Sequence, residues 1–271
     1  NTDSASGNYN NDGATGANAL AAGVNAKASM GDSIAIGSNA LASGLNSIAV
    51  GLGAQGTKEG AIAIGENAVV AGLDSVGIGT NVSVGSGNYQ TALGYKSKTE
   101  NSFATAIGTE SQALGQSSLA LGHSSVANSA QSVAVGPSAK AIGDQSTAIG
   151  NNVQAEGASS VAIGGDDLDS VTDATKATFK SLTGQDIPSK LYPTTRAGEA
   201  AVAVGVQAVA SGSLSTAFGT KTVAQGTASL ALGTGANASK ASSVALGAGS
   251  TTATNATKVI SENINGKTYS F

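Results

Sequence analysis

The chain has 271 residues, of which 40% are hydrophobic but only 3% aromatic and 11% charged, with 38 Gly and no Cys or Trp. Because aromatic side chains dominate most domain cores, this composition excludes a thick globular core and favours thin layers of Ala, Val, Ile and Leu. A net charge of −4 with thinly scattered basic residues argues against nucleic-acid binding. The missing cysteines exclude disulfides, thiolate metal sites and cysteine nucleophiles.

Residues 1–18, rich in Asn, Gly and Ala, precede the regular part of the chain. They are predicted to form an N-terminal cap or a frayed first coil, since the end units of solenoids are atypical. The sequence shows no run of 18 apolar residues and no signal peptide.

Residues 19–164 and 194–250 repeat a five-residue word that ends in glycine, for example SIAIG at 33–37 and SIAVG at 47–51. Successive glycines lie fourteen residues apart, except for an interval of 15 before Gly94 and one of 41 before Gly205. The copies end at Gly23, Gly37, Gly51, Gly65, Gly79, Gly94, Gly108, Gly122, Gly136, Gly150, Gly164, Gly205, Gly219, Gly233 and Gly247.

Positions within the repeat are numbered back from this glycine. Large apolar or β-branched residues at −3 and −1 alternate with Ala at −2, which is the period-2 pattern of a β-strand and not that of a helix. A second short strand follows the glycine in most units, as in 39–44 and 67–72. Each unit therefore predicts strand, glycine turn, strand and turn, and the whole an all-β parallel solenoid whose coils are stabilised by their neighbours.

The −1 and −2 positions, each of which forms a column along the stacked coils, are predicted to lie on opposite sides of the strand. The large residues at −1 are predicted to be the structural core, represented by Ile36, Val50, Ile64, Ile107, Leu121, Ile149, Ile163, Phe218 and Leu232. The alanines at −2 are predicted to face outward and meet another subunit at close range, because the core of one thin column is small. These proposed interface residues are Ala35, Ala49, Ala63, Ala106, Ala134, Ala162, Ala217 and Ala245.

The word SVAIG at 160–164, its variants at 46–51 and 131–136, and the fourteen-residue spacing resemble the YadA-like heads of trimeric autotransporter adhesins. The resemblance covers about residues 17–255. It implies a left-handed parallel β-roll with three chains about a threefold axis, displayed at the surface of a Gram-negative bacterium. Stalk and membrane anchor are expected to lie outside this sequence, so any membrane attachment would be through a segment absent here.

By the same resemblance the partners are host matrix proteins such as collagen, fibronectin or laminin, or other cells. The words linked with collagen binding in this family point to Asn46, Ser47, Ser132 and Ser160 as ligand-binding residues. The alternative is that Val and Ile of these words are core residues, whose mutation impairs binding through misfolding.

Residues 165–193 interrupt the repeat and are predicted to be an insertion, similar to the head insertions of the same family. Asp169 is predicted to cap a short helix that has Leu168, Val171, Thr175, Phe179 and Leu182 on one face and Gly184 as its stop. The basic residues Lys176, Lys180, Lys190 and Arg196 either solvate the insertion or bind an anionic ligand.

Residues 251–271 leave the repeat as a connector to further head, neck or stalk. Two β-like segments flank Asn265-Gly266, which is a hairpin signal.

No catalytic, cofactor or metal site is predicted. His123 is the sole histidine, and acidic residues are sparse around it. The glycine pairs 77/79 and 85/87 lack the following helix of a dinucleotide fingerprint. Asp166, Asp167 and Asp169 have carboxylates suited to calcium, but their place near a helix start favours capping.

The leading hypothesis is thus a nonenzymatic, multivalent adhesin. The alternative is a passive structural or ice-binding solenoid, against which stands a broken threonine ladder at −3, where Thr occurs only at Thr91, Thr105, Thr147 and Thr216. A polysaccharide-cleaving solenoid ranks third, because clustered acids and aromatics on one face are not visible.

Overall fold

The computed structural model describes residues 7–187, 193–252, 261–264 and 267–270. Within these residues the chain is a parallel β-solenoid with one helix. The strands, numbered along the chain, are β1 (Leu20–Ala22), β2 (Lys27–Ala28), β3 (Ile34–Ile36), β4 (Leu41–Ala42), β5 (Ile48–Val50), β6 (Gln55–Gly56), β7 (Ile62–Ile64), β8 (Val69–Val70), β9 (Val76–Ile78), β10 (Ser83–Val84), β11 (Thr91–Leu93), β12 (Lys98–Thr99), β13 (Thr105–Ile107), β14 (Gln112–Ala113), β15 (Leu119–Leu121), β16 (Val126–Ala127), β17 (Val133–Val135), β18 (Lys140–Ala141), β19 (Thr147–Gly150), β20 (Gln154–Ala155), β21 (Val161–Gly165), β22 (Arg196–Ala197), β23 (Val202–Val206), β24 (Val209–Ala210), β25 (Thr216–Phe218), β26 (Val223–Ala224), β27 (Leu230–Leu232), β28 (Asn237–Ala238), β29 (Val244–Leu246), β30 (Ser261–Ile264) and β31 (Lys267–Ser270).

The coils stack as two parallel sheets. The odd-numbered strands from β1 to β29 form a 15-stranded sheet, and the even-numbered strands from β2 to β28 form a 14-stranded sheet. Equivalent residues pair across rungs, so that Ala35 pairs with Ala21 on one side and Ala49 on the other. The fourteen-residue spacing of the sequence is therefore the length of one turn.

The interior of the solenoid is lined by alanine and not by the large residues. The −2 alanines are fully buried within the single chain, with Ala245 the most accessible of the predicted interface set at 2%. The prediction that they meet another subunit is wrong, because a side chain already buried in its own chain has no surface left to offer. The alanines concerned are Ala35, Ala49, Ala63, Ala106, Ala134, Ala162, Ala217 and Ala245.

The large residues at −1 face outward, so the core prediction is wrong as well. None of the predicted core set is buried; Ile36 is 39% exposed and Phe218 is 52% exposed. Opposite the −2 alanines stand further small side chains such as Ala40 and Ala42, so the space between the sheets admits little more than methyl groups. The residues concerned are Ile36, Val50, Ile64, Ile107, Leu121, Ile149, Ile163, Phe218 and Leu232.

Each coil turns at two corners, one after each strand. At the first corner, the glycine that ends the word has a strongly positive φ in every copy except Gly164, and a Cβ on Gly108 would lie 2.5 Å from the carbonyl oxygen of Gly122 in the next coil. Asn39 (φ 59°), in the same corner as Gly37, and Asn46 (φ 56°), in the second corner, are left-handed, a conformation in which Asn is tolerated better than most residues.

The coil between Gly79 and Gly94 accommodates its additional residue around positions 85–89. Gln90 occupies the −4 position that is Ser in most coils, and it is buried. Its side-chain Nε2 donates to the carbonyl of Gly85 at 3.2 Å, so the longer side chain reaches the widened turn.

The insertion contains helix α1 (Asp173–Thr183). Its N-cap is Thr172, whose side chain accepts from the backbone N–H of Thr175, and not Asp169 as predicted. Gly184 ends the helix in the left-handed conformation, as predicted, and its N–H donates to Lys180 O at 2.8 Å.

At the C-terminal end, β30 and β31 pair antiparallel, with Ile264 opposite Lys267. This is the pairing that the hairpin signal predicts. Asn265 and Gly266 themselves lie outside the described residues.

Candidate intermolecular surfaces

The 15-stranded sheet presents a continuous apolar surface to the outside. We call this surface the apolar face; it consists of the −3 and −1 columns on the odd-numbered strands from β1 to β29. The −1 residues reach 67% exposure at Leu246, while most −3 residues are partly buried. At about 4.8 Å per rung, fifteen strands extend this face over about 70 Å. Such an area of exposed Ile, Val and Leu marks an interaction surface.

The 14-stranded sheet presents a different surface, which we call the polar face. It is formed by the first residue of each two-residue strand, since the second is buried. The polar face mixes amides, cations and a few aliphatic residues: Lys27, Leu41, Gln55, Val69, Ser83, Lys98, Gln112, Val126, Lys140, Gln154, Arg196, Val209, Val223 and Asn237. The two sides of the roll therefore suit different partners.

The serines proposed to bind ligand are structural. Ser47, Ser132 and Ser160 are fully buried, and each Oγ donates to the carbonyl three residues earlier at 2.6–2.7 Å. Their hydroxyls hold the turn before the strand, so their assignment as ligand contacts is wrong. Asn46 differs, because it stands exposed at a left-handed corner.

The basic residues of the insertion do not form one anion site. Lys180 pairs with Asp186 at 2.9 Å, Lys176 lies 3.8 Å from its own helix residue Asp173, and Arg196 lies 3.8 Å from Glu156 on the roll. These pairs are largely exposed and contribute little stability. Lys190 lies outside the described residues.

The acidic residues at the start of the insertion are engaged by protein groups. The Asp166 carboxylate accepts from the amides of Asn151 and Asn152, each at 2.9 Å. Asp167 accepts from the backbone N–H of Asp169 at 2.6 Å. In the described part of the chain no group of three or more His, Cys, Asp or Glu is arranged to hold a metal ion.

His123 is exposed at a corner, and its Nε2 lies 3.5 Å from Ser124 Oγ. Among the residues that the structure describes, Lys96 and Lys221 have shifted pKa values. Neighbouring Tyr95 raises the pKa of Lys96, chiefly through a side-chain hydrogen bond, and burial lowers the pKa of Lys221. Both lysines occupy left-handed corners of the roll.

Helix α1 packs back onto later coils of the roll. Phe179 is only 4% exposed and lies beside Gly235, while Leu182 and Thr183 lie against Gly249. A groove of about 250 Å³ remains between the helix and the corner threonines. It is lined by Leu168, Val171, Thr175, Thr178, Phe179, Leu182, Ile187, Thr220 and Thr234.

Comparison with known families explains the regular coils. The model of the YadA head domain repeat matches residues 14–40, 28–54, 57–81, 86–111, 113–139, 127–152, 141–166, 197–222 and 224–250. The chain belongs to the YadA head family. No curated protein matches the chain significantly. Among the described residues, no helix of the YadA-type head has the length and apolar character needed to cross a membrane.

The orientation of the YadA head strands carries a signal in the repeat itself. Threonine at −3 in Thr91, Thr105 and Thr147 is compatible with a surface position, whereas the −2 position admits only Ala or Gly. A column that never exceeds a methyl group is one that is sterically confined. If this confinement is interpreted as burial within the chain, and not as contact with another chain, the −2 column is identified as the interior of the roll.

Proposed function

We propose that this YadA-type head is the adhesive segment of a homotrimeric surface adhesin, with three left-handed rolls packed through their apolar faces. The supporting observation is the apolar face itself, which one chain leaves exposed along its full length. Burial of aliphatic side chains contributes about 25 cal/mol per Å², so a second and third chain stabilise the thin roll. The number three comes from the family, whose heads are trimeric.

Trimerisation of this kind leaves the polar face outside, three copies at each level. We infer that host matrix proteins, such as collagen, fibronectin or laminin, or cell surfaces contact this side without any enzymatic step. Individually weak contacts then add through effective concentration, since each rod repeats similar groups along its length. The head would stand at the outer membrane of a Gram-negative bacterium.

Oligomeric state is the first measurement. Light scattering of the purified chain is expected to give about three times the chain mass of 25.8 kDa. A folded monomer would contradict the proposal, because the apolar face would then be stable in water.

Binding to immobilised collagen, fibronectin and laminin is the second measurement. Substitution on the polar face, as in Lys140→Ala with Gln112→Ala, should lower binding several-fold at unchanged mass. Deletion of 166–192, which restores the fourteen-residue interval between the glycines of neighbouring coils, tests whether the insertion takes part. Binding to none of these proteins, or binding insensitive to the polar face, would overturn the assignment of ligand and surface.

A further inference from the structure

Three aromatic side chains lie at the margins of two neighbouring rungs of the apolar face. Tyr89 precedes β11 and Tyr95 follows it, while Phe103 occupies in the next coil the place that Tyr89 has in its own. The rings of Tyr89 and Phe103 stack with centroids 5.5 Å apart and planes 17° apart. All three side chains remain about half exposed, at 51%, 44% and 54% for Tyr89, Tyr95 and Phe103.

The backbone at this stack is unusual for aromatic residues. Tyr89 and Phe103 have φ values of 57° and 62°, a left-handed region in which bulky residues are rare. Equivalent corners elsewhere hold mostly small or amide-bearing residues, such as Asn46, Ser117 and Gln131. The two rings stack on each other but contribute nothing to the interior of the roll, and about half of each side chain stays exposed for a further contact.

Tyr95 lies at the opposite end of the same strand. The ammonium of neighbouring Lys96 lies 5.0 Å from the centroid of its ring, which is the geometry of a cation–π contact. Tyr89 and Tyr95 thus flank the apolar face from both margins at one level.

The proposed trimer brings these margins together. In this trimer the three apolar faces point to a common axis that is parallel to the rods. The strands lie across this axis, and in all three chains they run around it in the same direction. The end of a strand in one chain then meets the beginning of the equivalent strand in the next. Tyr95 of one chain consequently approaches Tyr89 and Phe103 of its neighbour.

Such a contact would specify how the chains align along the axis, which the rest of the apolar face does only weakly. Its columns carry aliphatic residues or threonine in nearly every coil, with Phe218 as the one aromatic, so sliding one chain by a rung of about 4.8 Å replaces most contacts with similar ones. Pairings that repeat in this way specify register weakly. We infer that Tyr89 and Phe103 of one chain close on Tyr95 of the next and hold the chains in axial register, an inference that rests on the proposed trimer.

Photo-oxidative dityrosine cross-linking tests the contact on the unmodified chain. Light with a ruthenium sensitiser, and persulfate as the electron acceptor, is expected to give covalent dimers and trimers on denaturing gels. Tyr89→Phe and Tyr95→Phe keep the rings but remove one partner of the cross-link, so each should abolish those bands, while Tyr9→Phe should not. A trimer by mass that gives no such cross-link, or one that persists in both variants, overturns the inference; a monomer by mass overturns the proposed trimer instead.

Thiol cross-linking tests the register, because the chain contains no cysteine. Ser117 and His123 flank one rung at exposed corners, and Gln131 is the counterpart of Ser117 one coil later. Ser117→Cys with His123→Cys reports aligned chains, and Gln131→Cys with His123→Cys reports chains offset by one coil. Both pairs are placed in a Phe218→Leu background to remove the other ring on the apolar face.

With the aromatic residues present, the aligned pair should cross-link several-fold more than the offset pair. After Tyr89→Ser and Phe103→Ser, which introduce a residue type found at the same corner in Ser117, the two yields should become similar at unchanged mass. An aligned preference that survives these substitutions would overturn the role in register, and absence of both cross-links would overturn the edge-to-edge contact.

Discussion

Gly77 faces Val82 across the interior of the roll, and a Cβ on Gly77 would lie 2.6 Å from Cγ1 of Val82. Gly77 is the exception in the −2 column, which is otherwise alanine. Val70 also approaches the same point, at 2.7 Å. These positions carry Ala in coils such as that of Ala40 and Ala42. The interior therefore keeps a constant volume, and the glycine compensates for the valines.

Gly77→Ala should therefore destabilise the protein only when the valines are present. Overpacking is expected to lower the free energy of unfolding by about 1–3 kcal/mol. In a Val70→Ala/Val82→Ala background the same substitution should cost little or be favourable, since Ala loses less backbone entropy than Gly. Urea unfolding at fixed protein concentration measures this coupling. Equal costs in both backgrounds would contradict complementary packing.

Leu121 tests the apolar face. Leu121→Glu places a carboxylate where neighbouring chains are proposed to pack, at a residue that is 40% exposed in the single chain. The mass measured by light scattering should fall below that of the wild type, because burying an unpaired charge is costly. Gln112→Glu, on the polar face, is the matched control and should leave the mass unchanged. Retention of the oligomer by Leu121→Glu would place the subunit contacts elsewhere.

Substitution of Gly122 tests the corner formed by the glycine at the end of each word. Gly122 has a φ of 133°, and a Cβ there would lie 2.7 Å from the backbone C and O of Gly136. Gly122→Ala should lower the free energy of unfolding by at least about 1–3 kcal/mol, the usual cost of a strained backbone. The adjacent exposed residue provides the control, since His123→Ala should change stability by less than about 0.5 kcal/mol. Thermal and urea unfolding should both show this loss of stability. If Gly122→Ala were as stable as the wild type, the backbone at this corner would have to adopt another conformation without cost.

Phe179 anchors helix α1 to the roll. Phe179→Ala removes a nearly fully buried ring, a change that costs about 3–5 kcal/mol in well-packed sites. The helix should detach locally, so hydrogen exchange should accelerate in 173–183 while the strands remain protected. Lys180→Ala, which alters only an exposed ion pair, should leave exchange unchanged. Faster exchange throughout the roll would show that the insertion supports the coils themselves.

Much of this architecture was predictable from local pattern. The period of fourteen fixed the length of a coil, the alternation around −2 fixed the strand, and glycine fixed the corner. Helix α1 followed from its apolar spacing and from Gly184. The start of the helix did not, because Asp169 was predicted to be its cap and only the backbone path shows that Thr172 accepts the Thr175 N–H.

The sequence by itself determined that the two sides of each strand differ, but it left open which side is inside. Alternation has the same period whichever way a strand faces. The usual rule that large apolar residues lie in the interior placed Ile36 inside and Ala35 outside, which is the reverse of what the structure shows. The tertiary structure decided the question by bringing the two sheets so close that the space between them is filled mainly by alanine and small polar side chains, with a few valines. The larger side chains consequently project outward, where they form the apolar face that a single chain leaves uncovered.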